Sequence, residues 1–146
     1  MSSSAEMQAS DVCFDETLLE LRSQDGWQHS NGAWWLEAKA LDPRAMTSFM
    51  LAHEARLVTV ASMEREAGET RLDYHWDLKG VVLTFSTITR AGSFPSIADL
   101  CPGADWIERE VHEYFAVEFT GRDNTKPLML RSGLLPGLNR KQGAKL

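Results

Sequence analysis

The sequence contains no apolar stretch near the ~20 residues that a membrane-spanning helix needs, and no run of Lys or Arg before its last few residues. Its 15 basic and 21 acidic side chains give a net charge of −6. A general nucleic-acid-binding protein would show a basic patch, so this composition argues against that class. The N-terminus has neither the basic nor the apolar segment of a secretory signal. We therefore expect a soluble, cytoplasmic protein.

Motifs for metals, disulfides and nucleotides are also missing. The two cysteines, Cys13 and Cys101, form no C-x-x-C pair and are typical of unpaired thiols in a reducing compartment. A zinc-binding helix would need a second His four residues after His112, where the chain has Ala116. No G-x-G-x-x-G or Walker pattern occurs. We therefore expect no catalytic residue, bound metal or cofactor in this chain.

Apolar periodicity and turn signals predict an α+β domain, with a mixed sheet of about five strands covered by helices. The predicted order is helix, two strands, helix, three strands, helix and an extended C-terminal tail. Phe14, Leu18 and Leu21 fall on one helical face, with Asp15 as the N-cap, and Asn31-Gly32 is a hairpin turn. Asp42-Pro43 starts a second helix, with Met46, Phe49, Met50 and His53 facing inward. Strands are predicted at 34–40, 57–61, 71–76 and 81–88. Residues 1–12 are predicted to be a disordered tail, 13–120 the domain, and 121–146 the extended docking tail.

A short charged helix starting near Asp105 is the densest feature. Asp105 with Glu108, and Ser96 with Asp99, have the spacing of capping boxes. The apolar stripe of this helix comprises Ile107, Val111, Tyr114 and Phe115.

The charges of this helix allow two interpretations. His112 with Glu108 or Glu113 could act as general acid and base, but a local ion pair between Glu108 and His112 is favoured, because nothing nearby resembles a nucleophile or a phosphate loop. Arg109 is predicted to pair with Glu113. Because Glu108 and Glu110 also flank Arg109, at least one of these acids should find another partner.

The charged helix belongs to a longer recognisable pattern. The pattern is Glu108-Arg109-Glu110-x-x-Glu113-Tyr114-Phe115, six residues, then Arg122-x-x-x-Lys126-x-Leu128-Met129. Upstream, Phe94-Pro95-Ser96-Ile97, Ala104-Asp105-Trp106 and Tyr74-His75-Trp76 extend it. From about Phe14 to Leu130 the chain resembles the respiratory complex I 30-kDa subunit family (the C subunit of NADH-quinone oxidoreductase), which includes the equivalent subunit of energy-converting membrane-bound NiFe hydrogenases. The chain departs from the family at Ala116, usually Gly, and at Arg122, usually His or Lys.

The resemblance implies a two-layer α/β domain and a non-catalytic, peripheral-arm subunit of a membrane-associated electron-transfer complex. Its partners would be the large catalytic subunit and a small iron–sulfur subunit, on the cytoplasmic face of the inner membrane. Iron–sulfur clusters, and a NiFe centre in the hydrogenase branch, would belong to those partners. The residues carried over as signature and docking residues are Glu108, Arg109, Glu110, Glu113, Tyr114, Phe115, Arg122 and Lys126. The tail after Gly121 would wrap a neighbouring subunit. The short tail and Val111-His112-Glu113 favour the hydrogenase branch over NADH:quinone chemistry.

Two other classes stay open from the residues alone. One is a stand-alone enzyme that uses His112 with Glu108 or Glu113. The other is a free peptide-binding module that presents surface aromatics such as Trp35.

Overall fold

The computed structural model describes residues 26–66, 68–90, 92–123, 126–131 and 133–139. Within them the chain forms a mixed sheet with two helices, so the predicted α+β class is confirmed. The elements in chain order are β1 Gln28–Ser30, β2 Ala33–Glu37, α1 Pro43–Ala52, β3 Arg56–Glu64, β4 Thr70–Leu78, β5 Val81–Thr89, β6 Ser93–Pro95, α2 Ala104–Phe115 and β7 Glu118–Thr120. The predicted helix near residues 14–21, the tail at 1–12 and Cys13 lie outside the described residues.

Five strands form the main sheet in the order β1-β2-β5-β4-β3. The β2–β5 pair is parallel and the other neighbouring pairs are antiparallel, which confirms the predicted mixed sheet. The Asn31-Gly32 turn joins β1 to β2 with positive φ at both residues (53° and 78°), as a tight hairpin turn requires. A second sheet pairs β6 with β7 in parallel. No sequence pattern predicted this pair, because each strand has only three residues.

Local signals fixed the start of α1 correctly. The Asp42 carboxylate accepts the backbone N–H groups of Arg44 and Ala45 at 3.0 and 3.1 Å, and Pro43 occupies the first turn. Met46 and Met50 are fully buried, as predicted. The inward placement of His53 is wrong, because His53 is the exposed C-cap residue.

One hydrophobic core lies between the sheet and the helices. Sheet side chains such as Trp76, Leu72 and Phe85 are buried there. Val111 of α2 joins the same cluster, and α2 packs over β3. Arg44 adds a link at the surface, where its guanidinium contacts both carboxylate oxygens of Asp99 at 2.7 and 2.8 Å and holds the pKa of Asp99 at about 2.

Both predicted capping boxes are wrong. Helix α2 begins at Ala104 after Gly103, which makes no side-chain cap bond, so Asp105 lies inside the first turn. The Ser96 hydroxyl does accept a local N–H, that of Ala98 at 3.1 Å, but the backbone N–H of Ser96 donates to Thr120. Ser96 has this distant partner because β6 and β7 bring Ser96 and Thr120 together. The Asp105 N–H donates instead to the Pro102 carbonyl at 3.1 Å.

At the end of α2, Ala116 adopts the left-handed conformation (φ 57°, ψ 31°) and its N–H donates to the His112 carbonyl at 2.8 Å. A residue with a Cβ atom costs ~1–2 kcal/mol in this region. Glycine avoids that cost but loses ~0.5–1 kcal/mol more backbone entropy on folding, which offsets part of the gain. Ala116→Gly should therefore raise the free energy of unfolding by about 0.5–1 kcal/mol, measured by urea denaturation. Ala61→Gly, on the exposed side of β3, is the matched control and should lower it by about as much. A destabilised Ala116→Gly protein would contradict the strain argument.

Candidate functional site

Glu108 is a buried carboxylate, only 1% exposed, in the middle of α2. It accepts hydrogen bonds from the Ser96 hydroxyl at 2.5 Å and the Ile97 backbone N–H at 2.8 Å. It also pairs with the Arg122 guanidinium at 2.9 Å. A buried charge is tolerated only when it is paired and hydrogen-bonded, and this carboxylate has partners of both kinds.

Arg122 lies after β7 and completes this site. Its second guanidinium nitrogen pairs with the Asp105 carboxylate, and the first also lies 3.4 Å from the Asp105 carbonyl. We call Ser96, Asp105, Glu108 and Arg122 the Glu108 cluster. It joins three separate parts of the chain: the segment before α2, α2 itself, and the segment after β7. The planar guanidinium fork of Arg122 reaches two carboxylates at once.

The negative charge of Glu108 also acts on Tyr74, a residue of the hydrophobic core. Tyr74 is fully buried on β4, and burial, followed by the charge of Glu108, raises the pKa of its phenol. Tyr74 is therefore neutral at physiological pH and serves as part of the core.

Glu113 is the second buried carboxylate of α2, at 4% exposure. It accepts the consecutive backbone N–H groups of Leu128, Met129 and Leu130, at 2.5, 2.9 and 3.3 Å. Burial alone would raise the pKa of Glu113, but these amides and the nearby Arg109 outweigh it and lower the pKa below its usual value. The carboxylate acts as an anion held in a nest of backbone donors.

Arg109 holds the same segment one turn earlier. Its guanidinium donates to the backbone carbonyls of Lys126 and Pro127 at 3.1 and 3.0 Å. We call residues 126–130 the tail strap. Glu113 accepts hydrogen bonds from N–H groups of the tail strap, and Arg109 donates to its carbonyls. Both charged side chains therefore bind the backbone of the strap and do not pair with each other.

The end of α2 is fastened by the chain after the strap. The backbone N–H of Gly137 donates to the Glu113 carbonyl at 2.8 Å, and that of Asn139 donates to the Tyr114 carbonyl at 2.8 Å. The last carbonyls of a helix lack partners within the helix. The tail supplies them, and residues 126–139, where described, thus lie against α2.

Three predicted pairings are corrected by these contacts. Glu108 does not pair with His112, because the carboxylate is taken by Ser96, Ile97 and Arg122. The His112 ring instead donates from Nδ1 to the Val117 carbonyl at 3.0 Å and lies 3.7 Å from the Glu118 carboxylate.

The Arg109–Glu113 pair is not among the ion pairs within 4 Å that the described residues form, since Arg109 makes only a 3.9 Å contact with Asp105. The acid–base pair of His112 with Glu108 or Glu113 loses its geometry as well, because the N–H groups of the tail strap occupy Glu113. The expectation that one flanking acid finds another partner is confirmed for Glu108. Glu110 is solvent-exposed.

The other signature residues divide between core and surface. Phe115 is half-buried and packs against the core, while Tyr114 is half-buried and offers its carbonyl to the tail. The Lys126 side chain is exposed. Cys101 is a free, half-buried thiol in the turn before α2.

An exposed apolar surface adjoins this site. Trp106, at 68% exposure, lies on α2 one turn before Arg109 and Glu110. The tail beside α2 exposes four further large apolar side chains, namely Met129, Leu134, Leu135 and Leu138. We call these five residues together the apolar face, because α2 and the tail that carry them pack against each other. Sequence reasoning missed it, although Leu134-Leu135 among Gly and Pro was a visible signal, because exposure depends on where the tail lies.

No helix in the described part of the chain is long and apolar enough to cross a bilayer. The described residues contain no group of three or more His, Cys, Asp or Glu side chains placed to hold a metal ion.

Sequence comparison identifies one family. Residues 37–141 match the profile of the respiratory-chain NADH dehydrogenase 30-kDa subunit. The C subunit of the NADH-quinone oxidoreductase of Ruegeria sp. (strain TM1040) is 23% identical over 116 residues, 73% of this chain and 58% of that protein. Its counterpart in Rhodopseudomonas palustris (strain BisB18) is 28% identical over 81 residues, 52% and 41% respectively. A C/D-type subunit of the same oxidoreductase in Aquifex aeolicus (strain VF5) is 40% identical over 42 residues, 29% of this chain and 7% of that protein.

Each of these matches thus covers less than two thirds of the relative.

Two solved structures share the fold. A trypsin-resistant fragment (1–134) of Nqo5 superposes with a TM-score of 0.58 at 17% identity, covering 75% of this chain and 98% of the fragment. A polypeptide of the membrane-bound sulfane sulfur reductase (MBS), an archaeal respiratory membrane complex, gives a TM-score of 0.62 at 22% identity, covering 78% and 71%.

Proposed function

Since the chain belongs to the respiratory-chain NADH dehydrogenase 30-kDa subunit family, we propose that it is a non-catalytic, peripheral-arm subunit of a membrane-associated electron-transfer complex. The complex is of the energy-converting NiFe hydrogenase or complex I type. The chain docks to the large catalytic subunit and the small iron–sulfur subunit at the cytoplasmic face of the inner membrane. The iron–sulfur clusters, and any NiFe centre, reside in those partners.

The observation that carries this proposal is how the signature charges are used. Glu108, Arg109, Glu113 and Arg122 all bind other parts of their own chain. A catalytic carboxylate needs a face open to substrate, and both buried carboxylates have their oxygens taken by hydrogen-bond donors. The signature residues therefore hold the tail and the segment after β7 against α2. This packing places the apolar face at the surface.

The apolar face has the composition of an interaction surface. Exposed apolar side chains grouped beside polar ones are typical of protein–protein contacts, and a large aromatic such as Trp106 is typical of the residues that dominate binding energy. The partners in this family are large subunits. A large subunit offers a surface broad enough to bury the apolar face.

The acid–base alternative has weaker support. The nearest group to His112 is the Val117 carbonyl, followed by the exposed Glu118. An enzyme built on His112 would also need a nucleophile, and none is among the contacts that the ring makes with the described residues.

The proposal is tested by purifying a tagged copy from its native membranes and identifying every bound polypeptide. We expect a large catalytic subunit and an iron–sulfur subunit to co-purify. Trp106→Ser should reduce their recovery about tenfold or more, as hot-spot aromatics at interfaces do. Val58→Ser, which removes an exposed apolar side chain from β3, is the matched control and should leave recovery unchanged. A chain recovered alone would overturn the proposal, whereas equal losses for both variants would overturn only the assignment of the apolar face.

A further inference from the structure

Strand β5, the central strand of the main sheet, extends beyond the end of its neighbour β2. The register places Glu37, the last residue of β2, opposite Ser86, while β5 continues to Thr89. The last backbone bond on this edge runs from the Ala38 N–H to the Ser86 carbonyl at 2.8 Å. Among the described residues no strand lies opposite residues 87–89 on that side.

The backbone of Ile88 is therefore open to a partner. Backbone groups alternate in direction along a strand, so the N–H and C=O of Ile88 point to the same edge as those of Ser86. On the other side β4 already pairs with this stretch, with Arg71 opposite Ile88. An extended peptide laid beside residues 87–89 would find one donor and one acceptor in line with the β2 ladder.

A cavity of about 680 Å³ lies at this place, between the ends of β2 and β5 and the start of β6. Ile88 and Phe94 supply apolar wall, and Ser86, Thr87 and Thr89 supply hydroxyl groups. Its volume falls within the range of about 300–1,000 Å³ that is typical of ligand sites. A short extended segment fits this combination of open backbone and apolar wall.

The wall of this cavity is basic, although the whole chain carries a net charge of −6. Four basic side chains line it, Lys39, Arg65, Arg71 and Arg90, against one acid, Glu37. Asp73 pairs with Arg71, and Glu69 pairs with Arg90.

Lys39 and Arg65 are exposed and take part in no ion pair that the described residues form. These two charges are available to a ligand. Charge complementarity selects carboxylates as their partners.

We propose that the β5 edge at residues 87–89 accepts an extended, acidic segment of a partner polypeptide as an added strand, with Lys39 and Arg65 contacting its carboxylates. This goes beyond the proposed function, since it requires no particular complex and can be tested on the isolated full chain.

The probe is a fluorescein-labelled hexapeptide of alternating Val and Glu, whose binding is followed by fluorescence anisotropy at low salt. We expect saturable binding, together with slower hydrogen exchange at the Ile88 N–H. The same peptide with Lys in place of Glu should bind at least about tenfold more weakly. The same peptide with alternate backbone amides methylated should also bind at least about tenfold more weakly, because it cannot form the ladder.

The residue assignment is tested by the double variant Lys39→Ser with Arg65→Ser, which should raise Kd about fivefold or more. Arg56→Ser is the matched control, because Arg56 is an exposed Arg at the start of β3, whereas Arg65 follows the other end of that strand, and it should leave Kd unchanged.

Three results would overturn the strand proposal. Equal binding of the methylated peptide, with displacement by inorganic phosphate, would show a simple anion site. Equal binding of the Lys peptide would show that charge does not select the ligand. Self-association that the peptide reverses would show that a second copy of the chain occupies the edge. Failure of these tests leaves the co-purification result untouched, so the two proposals fail separately.

Discussion

Replacing Arg122 with Ala should lower the free energy of unfolding by about 3–5 kcal/mol, because it leaves a buried carboxylate without its counter-charge. The Glu108 side chain is 2% exposed and that of Arg122 is 13% exposed, so solvent cannot replace the guanidinium. Asp105 loses the closer of its two basic partners in the same variant and keeps only the 3.9 Å contact with Arg109. Urea denaturation followed by circular dichroism measures the effect.

The matched control for this prediction is Arg131→Ala, which removes an exposed Arg from the tail and should change stability by less than ~0.5 kcal/mol. Arg122→Lys keeps the charge and loses the fork, so it should fall between the two. Combining Arg122→Ala with Glu108→Gln should cost less than the sum of the two single changes, since the second removes the orphaned charge. A loss below about 1 kcal/mol in Arg122→Ala would mean that the Glu108 cluster does not hold the fold.

Replacing Glu113 with Gln should release the tail strap at a cost of about 2–3 kcal/mol, because a charged acceptor of three backbone N–H groups becomes a neutral one. We expect the amides of Leu128, Met129 and Leu130 to exchange with solvent much faster, while the sheet amides stay protected. Hydrogen exchange resolved by residue measures both. Glu110→Gln, an exposed change on the same helix, is the control and should alter neither.

The same contact makes the strap sensitive to acid. The pKa of Glu113 is lowered in the folded chain from its usual value of 4.5. A group with a depressed folded pKa gives its full stabilisation above the unfolded pKa and loses it as pH falls through the folded pKa. Protection of the strap amides should therefore be constant above about pH 5 and decline below pH 4.5. Glu113→Gln should abolish this dependence, and an unchanged acid response in that variant would assign it to another carboxylate.

What could be predicted from the sequence was set by neighbours along the chain. Asn31-Gly32 needs only its own backbone preference to make a hairpin, and Asp42-Pro43 needs only the following turn to start a helix. Both were confirmed. The family pattern likewise identified the helix that carries the site.

What could not be predicted was which partner each charged side chain chooses. Glu108 had a candidate one turn away in His112, yet its partners are Ser96, twelve residues before it, and Arg122, fourteen after it. A solvent-exposed pair at i, i+4 gains only ~0.3–0.5 kcal/mol, while a desolvated, hydrogen-bonded contact gains more. Glu108 therefore forms its tertiary contacts in preference to the local pair. Those contacts depend on the short parallel pair β6–β7, which has no sequence signal of its own.

The tail strap has a consequence for the kinetics of assembly. A segment that folds only on its partner must lose its conformational freedom during binding, which lowers affinity and makes the rate depend on a folding step. Here Arg109 and Glu113 already fix the strap on its own helix. Binding through the apolar face should then behave as the docking of two preformed surfaces, with a rate set by encounter and orientation and with most affinity changes expressed in dissociation.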